Sequence, residues 1–260
     1  MVVPQAEIEL HHWLAGSPAM PTVVLSHALG ASMAMWDPQL APLTEIRQVL
    51  RYDQRGHGGS PVPPGPYTIE ALGRDLLALL DRLHLDRVSL CGLSLGGMVG
   101  MWLAANAPDR IDRLVLCCTA ARMMRPEEFA TRAETVRRQG MAAVADAVIG
   151  RWFTPDFATT HPQTVASIRA TLLATPAEGY AGACEALAAM DLRGDLRSIK
   201  ARTLVISGAQ DQSTPTQQSR EIAKAIPGAE LVVVPQAAHL ANVEQADRVS
   251  EEIVRHLLAS

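Results

Sequence analysis

Short apolar runs alternate with longer segments of helical spacing along most of this 260-residue sequence. Several of these runs are apolar throughout, which is typical of strands that a parallel sheet buries on both faces. The alternation predicts an α/β fold with a mostly parallel sheet of about eight strands flanked by helices. The clearest strand candidates are residues 8–14, 22–26, 48–52, 88–91, 113–118, 203–207 and 230–234, the first of them an antiparallel edge strand.

Residues 121–190 break this alternation. They contain helical segments separated by proline and glycine, and no run with the pattern of a strand. We expect this segment to form a helical lid over the site, inserted after strand 6 of the sheet. The expected organisation is a core in two parts, residues 1–120 and 191–260, with the lid between them.

Composition and charge narrow the class of protein. Hydrophobic residues make up 48% and charged residues 19% of the chain, as in ordinary globular domains. The net charge is −4 and the basic residues are scattered, so we expect neither nucleic acid nor a membrane surface as partner. Residues 1–10 lack the pattern of a signal peptide, and residues 98–105 are too short an apolar stretch to span a bilayer. The four cysteines have no metal-ligand spacing, so a cytoplasmic protein without bound metal is expected.

The segment Gly92-Leu93-Ser94-Leu95-Gly96 has the pattern of a catalytic turn. An apolar run precedes it and a continuously apolar helical segment follows it, which is the strand–turn–helix context of a nucleophile elbow. The two glycines leave room for neighbouring backbone at a sharp turn. Ser94 is therefore predicted to be a nucleophile at the amino end of a helix, whose dipole favours negative charge nearby.

A serine hydroxyl needs a base to take its proton, and eight histidines are available. His239 follows the last predicted strand, at the carboxyl end of the sheet, where open α/β sheets place their sites. His57 is the alternative, but the glycines close to it on both sides indicate a tight loop that supports the site. We predict that His239 is the base.

The base in turn needs a carboxylate that holds its tautomer. Asp211 lies in the loop after the predicted strand at residues 203–207. The order Ser94, Asp211, His239 is the one expected when a serine triad is built on this kind of sheet. Asp191 and Asp195, which precede that strand, are the alternatives.

Two backbone N–H groups are expected to form an oxyanion hole. One belongs to Leu95, the residue after the nucleophile. The other belongs to the loop after the predicted strand at residues 22–26. Leu29 is our prediction for this second donor, and Ala28 is the alternative.

With these residues in place, the chain resembles the α/β-hydrolases, and among them the 3-oxoadipate enol-lactonases of the β-ketoadipate pathway of aromatic catabolism. The segments that carry the resemblance are residues 26–30 (SHALG), 35–39 (MWDPQ), 52–58 (YDQRGHG), 91–97 (CGLSLGG), 152–154 (WFT) and 208–211 (GAQD). Ala28 departs from the glycine that is common at this place in the wider superfamily. Some relatives carry a fused decarboxylase domain, which we do not expect here because the sequence ends at Ser260.

The resemblance implies a small lactone substrate with one free carboxylate, opened through an acyl-enzyme on Ser94 without metal or organic cofactor. Trp152 and Ala28 are the expected substrate contacts, with plain lid packing as the alternative for Trp152. Seven arginines and seven acidic residues in the lid segment leave the group that binds the carboxylate open. The alternatives are a carboxylesterase, a cofactor-free haloperoxidase-like enzyme, a carbon–carbon bond hydrolase, and a non-catalytic receptor on the same fold.

Overall fold

The computed structural model describes residues 8–259. Their strands are β1 (His12–Ala15), β2 (Thr22–Ser26), β3 (Gln48–Tyr52), β4 (Val88–Leu93), β5 (Ile111–Cys117), β6 (Arg202–Gly208) and β7 (Glu230–Val234). Within this range they form one sheet in the order β1-β3-β2-β4-β5-β6-β7, in which β1 alone is antiparallel to its neighbour. Strands β2 and β4 are buried at every position, as expected for the covered centre of a parallel sheet.

Eleven α-helices accompany the strands in the described range. They are α1 (Asp37–Thr44), α2 (Ile69–Arg82), α3 (Leu95–Asn106), α4 (Pro126–Gln139), α5 (Ala142–Trp152), α6 (Pro155–Thr160), α7 (Pro162–Ala174), α8 (Ala177–Ala189), α9 (Thr216–Ala225), α10 (Ala241–Glu244) and α11 (Ala246–Leu258). Helix α2 packs against α3, and α1 packs against α11. Helix α3 is apolar on all sides and almost wholly buried, because it begins directly behind β4 at the centre of the sheet.

The predicted fold class is confirmed, with three differences in detail. The described residues hold seven strands, against the predicted number of about eight, and β1 is the only strand before β2 among residues 8–259. The helical segment therefore follows the fifth strand, β5, and not the sixth. The edge strand β1 is also shorter than the predicted residues 8–14, since pairing with β3 begins at His12.

Five helices, α4 to α8, fill the chain between β5 and β6. Helices α4 and α8 pack against each other, and Arg137 on α4 binds the carboxylates of Glu178 and Glu185 on α8. An isolated antiparallel β-bridge between the backbones of Arg122 and Asp191 joins the two ends of the segment. The helices occupy the strand-free region that the sequence pattern indicates.

The structure also bears on two expectations from the sequence, those about membrane spans and about the cysteines. No helix among residues 8–259 has both the length and the apolar character needed to cross a membrane. The four cysteines are buried, and their thiols are free of disulfide bonds in this part of the chain. The expectation for residues 1–10 falls mainly on residues 1–7, which lie outside the described range.

Candidate active site

Ser94 occupies a sharp turn between β4 and α3. Its backbone has φ 54° and ψ −115°, a strained conformation that a residue other than glycine adopts only where its surroundings fix it. Gly96 permits the turn, because a Cβ atom added there would lie 2.2 Å from the carbonyl oxygen of Ser26. The Ser94 amide donates to the Cys117 carbonyl at 2.9 Å, and Thr119 Oγ1 donates to the Ser94 carbonyl at 2.7 Å. These contacts hold the serine at the amino end of α3.

His239 and Asp211 lie in the loops that follow β7 and β6. Asp211 Oδ2 lies 2.9 Å from His239 Nδ1 and accepts the Thr214 hydroxyl at 2.8 Å. Asp211 Oδ1 accepts the amides of Ser213 and Thr214. Because a carboxylate only accepts hydrogen bonds, these contacts place the imidazole proton on Nδ1 and leave the lone pair of Nε2 available. The geometry is that of a base whose tautomer is fixed.

Several of the predicted site residues line one cavity of about 350 Å³. It lies between the carboxyl edge of the sheet and the helices α4, α5 and α8. The predicted residues that line it are Ser94, His239, Leu29 and Trp152. Asp211 lies behind His239 and contacts it through Nδ1, whereas the alternative acids Asp191 and Asp195 are exposed on the surface.

The predicted oxyanion donors differ in how their amides are engaged. Leu95 is the first residue of α3, so its N–H has no acceptor within the helix. The Leu29 amide has no acceptor among the described residues, whereas the Ala28 amide donates to Met35 Sδ at 3.3 Å. Ala28 is also absent from the cavity lining, and this favours Leu29 as the second donor.

His57 supports the loop that carries Leu29. Its Nε2 accepts the amide of Gly30 at 3.0 Å, and its Nδ1 lies 3.1 Å from the Arg55 carbonyl oxygen. Burial, reinforced by the nearby His27 ring, lowers the pKa of His57 to about 3. The ring is therefore neutral at ordinary pH, and Nε2 stays an acceptor. Both nitrogens bind backbone groups, which agrees with a supporting role for His57.

We expect acid to destabilise the protein through His57. Its pKa is about 3 in the folded chain and 6.5 in the reference state, so between these values the unfolded chain binds the extra proton. Stability is then complete above about pH 6.5 and falls as the pH is lowered, by about 2 kcal/mol at pH 5 for this group. Urea unfolding at about pH 7.5 and pH 5 measures the loss, which should be smaller in His57→Gln. Equal losses in both proteins would contradict this role of burial.

Cationic side chains from the helical segment face the cavity, which the even charge count of that segment does not indicate. Arg125, Arg132 and Arg151 line it together with one carboxylate, that of Glu128. Arg125 binds Glu128 at 2.8 Å. Arg132, whose Cζ lies 4.8 Å from the centre of the Phe129 ring, has no carboxylate at ion-pair distance within residues 8–259. Arg132 interacts with the Tyr180 hydroxyl. The cavity therefore presents to an anionic ligand a guanidinium that no carboxylate binds at ion-pair distance within the described residues.

The fold and the family match define the class of this protein. Residues 21–246 match the family described as alpha/beta hydrolase fold. The chain belongs to this family and is a hydrolase. The family membership expected from the sequence is thereby confirmed.

Within the family, the chain is similar to enol-lactonases. It shares 38% identity with 3-oxoadipate enol-lactonase 2 of Acinetobacter baylyi, over 92% of this chain and 89% of the relative. Its structure is similar to the enol-lactonase from Burkholderia xenovorans LB400, with a TM-score of 0.95 and 47% identity over 96% of each chain. It is also similar to a thermophilic esterase from Thermogutta terrifontis, with a TM-score of 0.91 and 34% identity over 96% of this chain and 93% of the other.

Proposed function

We propose that this hydrolase opens the lactone ring of 3-oxoadipate enol-lactone to give 3-oxoadipate, a step of the β-ketoadipate pathway. The observation that carries the proposal is Arg132, a cation without a carboxylate at ion-pair distance among the described residues, in the cavity that Ser94 and His239 also line. The substrate is a small lactone with one free carboxylate, and a guanidinium binds a carboxylate through two parallel hydrogen bonds. The similarity to two enol-lactonases supports the same assignment.

Ring opening begins when Ser94 Oγ attacks the lactone carbonyl carbon and His239 Nε2 takes the hydroxyl proton. Asp211 holds the imidazole through Nδ1 and stabilises the imidazolium that forms. The developing oxyanion lies between the N–H groups of Leu95 and Leu29, each of which contributes about 3 kcal/mol. The ring C–O bond then breaks, His239 returns the proton to the departing oxygen, and the acyl group remains on Ser94 as an ester.

The second half of the reaction releases the acid. The departing oxygen leaves as an enol, which relaxes to a ketone, so the ring does not readily close again. His239 takes a proton from a water molecule, whose oxygen attacks the acyl carbon. Collapse of this second intermediate breaks the bond to Ser94, returns a proton to its Oγ and releases 3-oxoadipate. Atoms and charges balance with protein groups and water, so the scheme requires neither metal nor organic cofactor.

We further propose that α4 to α8 act as a lid, which divides the chain into a lid, residues 121–190, and a two-part core, residues 1–120 and 191–260. The position of the cavity between these helices and the sheet supports this division. Trp152, at the end of α5, would then form a wall against which the lactone ring packs. A lid also excludes bulk water from the cavity while Ser94 attacks the lactone.

We propose a cytoplasmic location with a small molecule as the partner. The free, buried thiols support a reducing compartment, where such cysteines remain unoxidised. The net charge of −4 gives no electrostatic attraction to nucleic acid or to anionic lipid.

A carboxylesterase is the second candidate, and the similarity to the Thermogutta terrifontis esterase favours it. An esterase would use Ser94, Asp211 and His239 in the same roles. The two candidates differ at Arg132, because a neutral ester gives its guanidinium no charged partner. Haloperoxidase-like and carbon–carbon bond hydrolases would share the triad but have no such observation in their favour.

Steady-state kinetics test the proposed substrate. The quantity to compare is kcat/KM for 3-oxoadipate enol-lactone and for p-nitrophenyl acetate. We expect the lactone to be preferred by at least about 100-fold, a difference of about 3 kcal/mol that one charge-assisted pair can supply. A wide preference for the ester would contradict the lactonase assignment and support the carboxylesterase.

A further inference from the structure

A buried carboxylate that the proposed mechanism does not use lies behind the loop of His239. Glu244, at the end of α10, is 8% exposed and forms no ion pair within the described part of the chain. Its Oε1 accepts the amide and the hydroxyl of Thr154, at 2.7 and 2.8 Å, and its Oε2 accepts the amide of Ala238. A buried carboxylate without a cation is costly unless its oxygens are hydrogen-bonded, so this arrangement is strongly constrained.

These bonds join the loop of His239 to the junction between α5 and α6. Ala238, the residue before His239, donates its amide to Oε2 of Glu244. Thr154 donates its hydroxyl to Oε1 of the same carboxylate. The residue after His239, Leu240, donates its amide to the Trp152 carbonyl at 3.0 Å. Both residues that flank His239 are therefore tied through their backbone amides to the same short segment of the helical region, Leu240 directly and Ala238 through Glu244.

We propose that Glu244 is a positioning residue, which fixes the His239 imidazole relative to Ser94 by binding the preceding amide to the α5–α6 junction. The inference rests on the proposed function, because it requires His239 to act as the base. A misplacement of about 1 Å can cost about 100-fold in rate, so a rigid anchor beside the base has a large effect on catalysis. Trp152 lines the cavity at this junction, so the position of the lid and that of the base depend on one set of bonds.

Substitution of Glu244 tests the proposal. Glu244→Gln keeps the shape of the side chain but directs an NH₂ group at one of the N–H donors. We expect kcat for p-nitrophenyl acetate, and the rate at which a fluorophosphonate labels Ser94, to fall about 10- to 100-fold, with KM changed less than about threefold. Glu252→Gln is the matched control, because Glu252 is equally buried but binds two arginines of α11 and does not contact the loop.

Thr154 tests the same contact from the other side. Thr154→Val removes the hydroxyl bond and should lower the labelling rate about 3- to 10-fold, a loss of about 1 kcal/mol. Thr154→Ser keeps the hydroxyl and should retain the wild-type rate. Circular dichroism gives the folded fraction of each variant, since a purely structural role would lower the unfolding midpoint and leave the rate per folded molecule unchanged.

The possible outcomes are distinct. Wild-type rates in folded Glu244→Gln, with a reactive wild-type protein, would overturn the positioning role alone. If Glu244→Gln does not fold, the comparison of Thr154→Val with Thr154→Ser decides, and equal rates in these two would overturn the proposal. A wild-type protein that fluorophosphonate does not label would contradict the proposed function and, with it, a base for Glu244 to position.

Discussion

Ser94→Ala and His239→Ala are each expected to lower kcat by about 10⁴- to 10⁶-fold, and the double variant should lose no more than either one alone. The losses do not add, because Ser94 and His239 act together in one step, the attack on the carbonyl carbon. Removing either residue already abolishes that step. Steady-state hydrolysis of the enol-lactone by the three variants measures this. The residual rate over water would come from the oxyanion hole and from binding alone.

His57 provides the control for this assignment, because it is the other histidine that the sequence places beside the site. A folded His57→Gln variant should keep His239 and Asp211 in contact and retain far more activity than His239→Ala. An inactive but folded His57 variant together with an active His239→Ala protein would reverse the assignment of the base.

Replacement of Arg132 is expected to change substrate preference. Arg132→Met keeps most of the apolar stem and removes the guanidinium, so kcat/KM for the enol-lactone should fall about 100- to 1000-fold, since removing one partner of a buried charge pair costs about 2–5 kcal/mol. The rate on p-nitrophenyl acetate should change less than about twofold, because this ester has no carboxylate to bind. The ratio of the two kcat/KM values isolates the charge effect.

Arg138→Met is the matched control for this experiment. Arg138 lies on the same helix as Arg132 but is exposed and does not line the cavity. We expect it to leave both rates unchanged. Equal losses on the lactone and the ester in Arg132→Met would show that Arg132 stabilises the lid without binding the substrate carboxylate.

The sequence predicts those features of the fold and the site that residues close together in the chain encode. The nucleophile elbow is readable because an apolar strand, Gly-x-Ser-x-Gly and an apolar helix are continuous in the chain. His239 and Asp211 follow strands directly, and in a parallel sheet the carboxyl ends of strands lie at one edge. The contact between these two side chains therefore follows from topology, although the sequence alone left Asp191 and Asp195 as alternatives.

The remaining features depend on contacts between distant parts of the chain. The lid segment has seven arginines and seven acidic residues, and only helix packing decides that Arg132 faces the cavity while others pair on the surface. Thr154 and Glu244 are 90 residues apart, so no local sequence pattern predicts the hydrogen bond between them. The first strand begins at His12 and not at residue 8 as predicted, because edge strands such as β1 are short and weakly patterned. A cue for Glu244 exists only in its position five residues after His239, on the short helix that follows the loop.

The most direct test of the central claim is the site at which a fluorophosphonate probe reacts. The intact protein is treated with the probe, digested, and its peptides are mapped by mass spectrometry. We predict a single adduct on Ser94 in the wild-type protein, slow or absent labelling in His239→Ala, and slower labelling of Ser94 in the wild-type protein when 3-oxoadipate is present as a competitor. A wild-type protein without an adduct on Ser94, or with the adduct on another residue, would contradict the account.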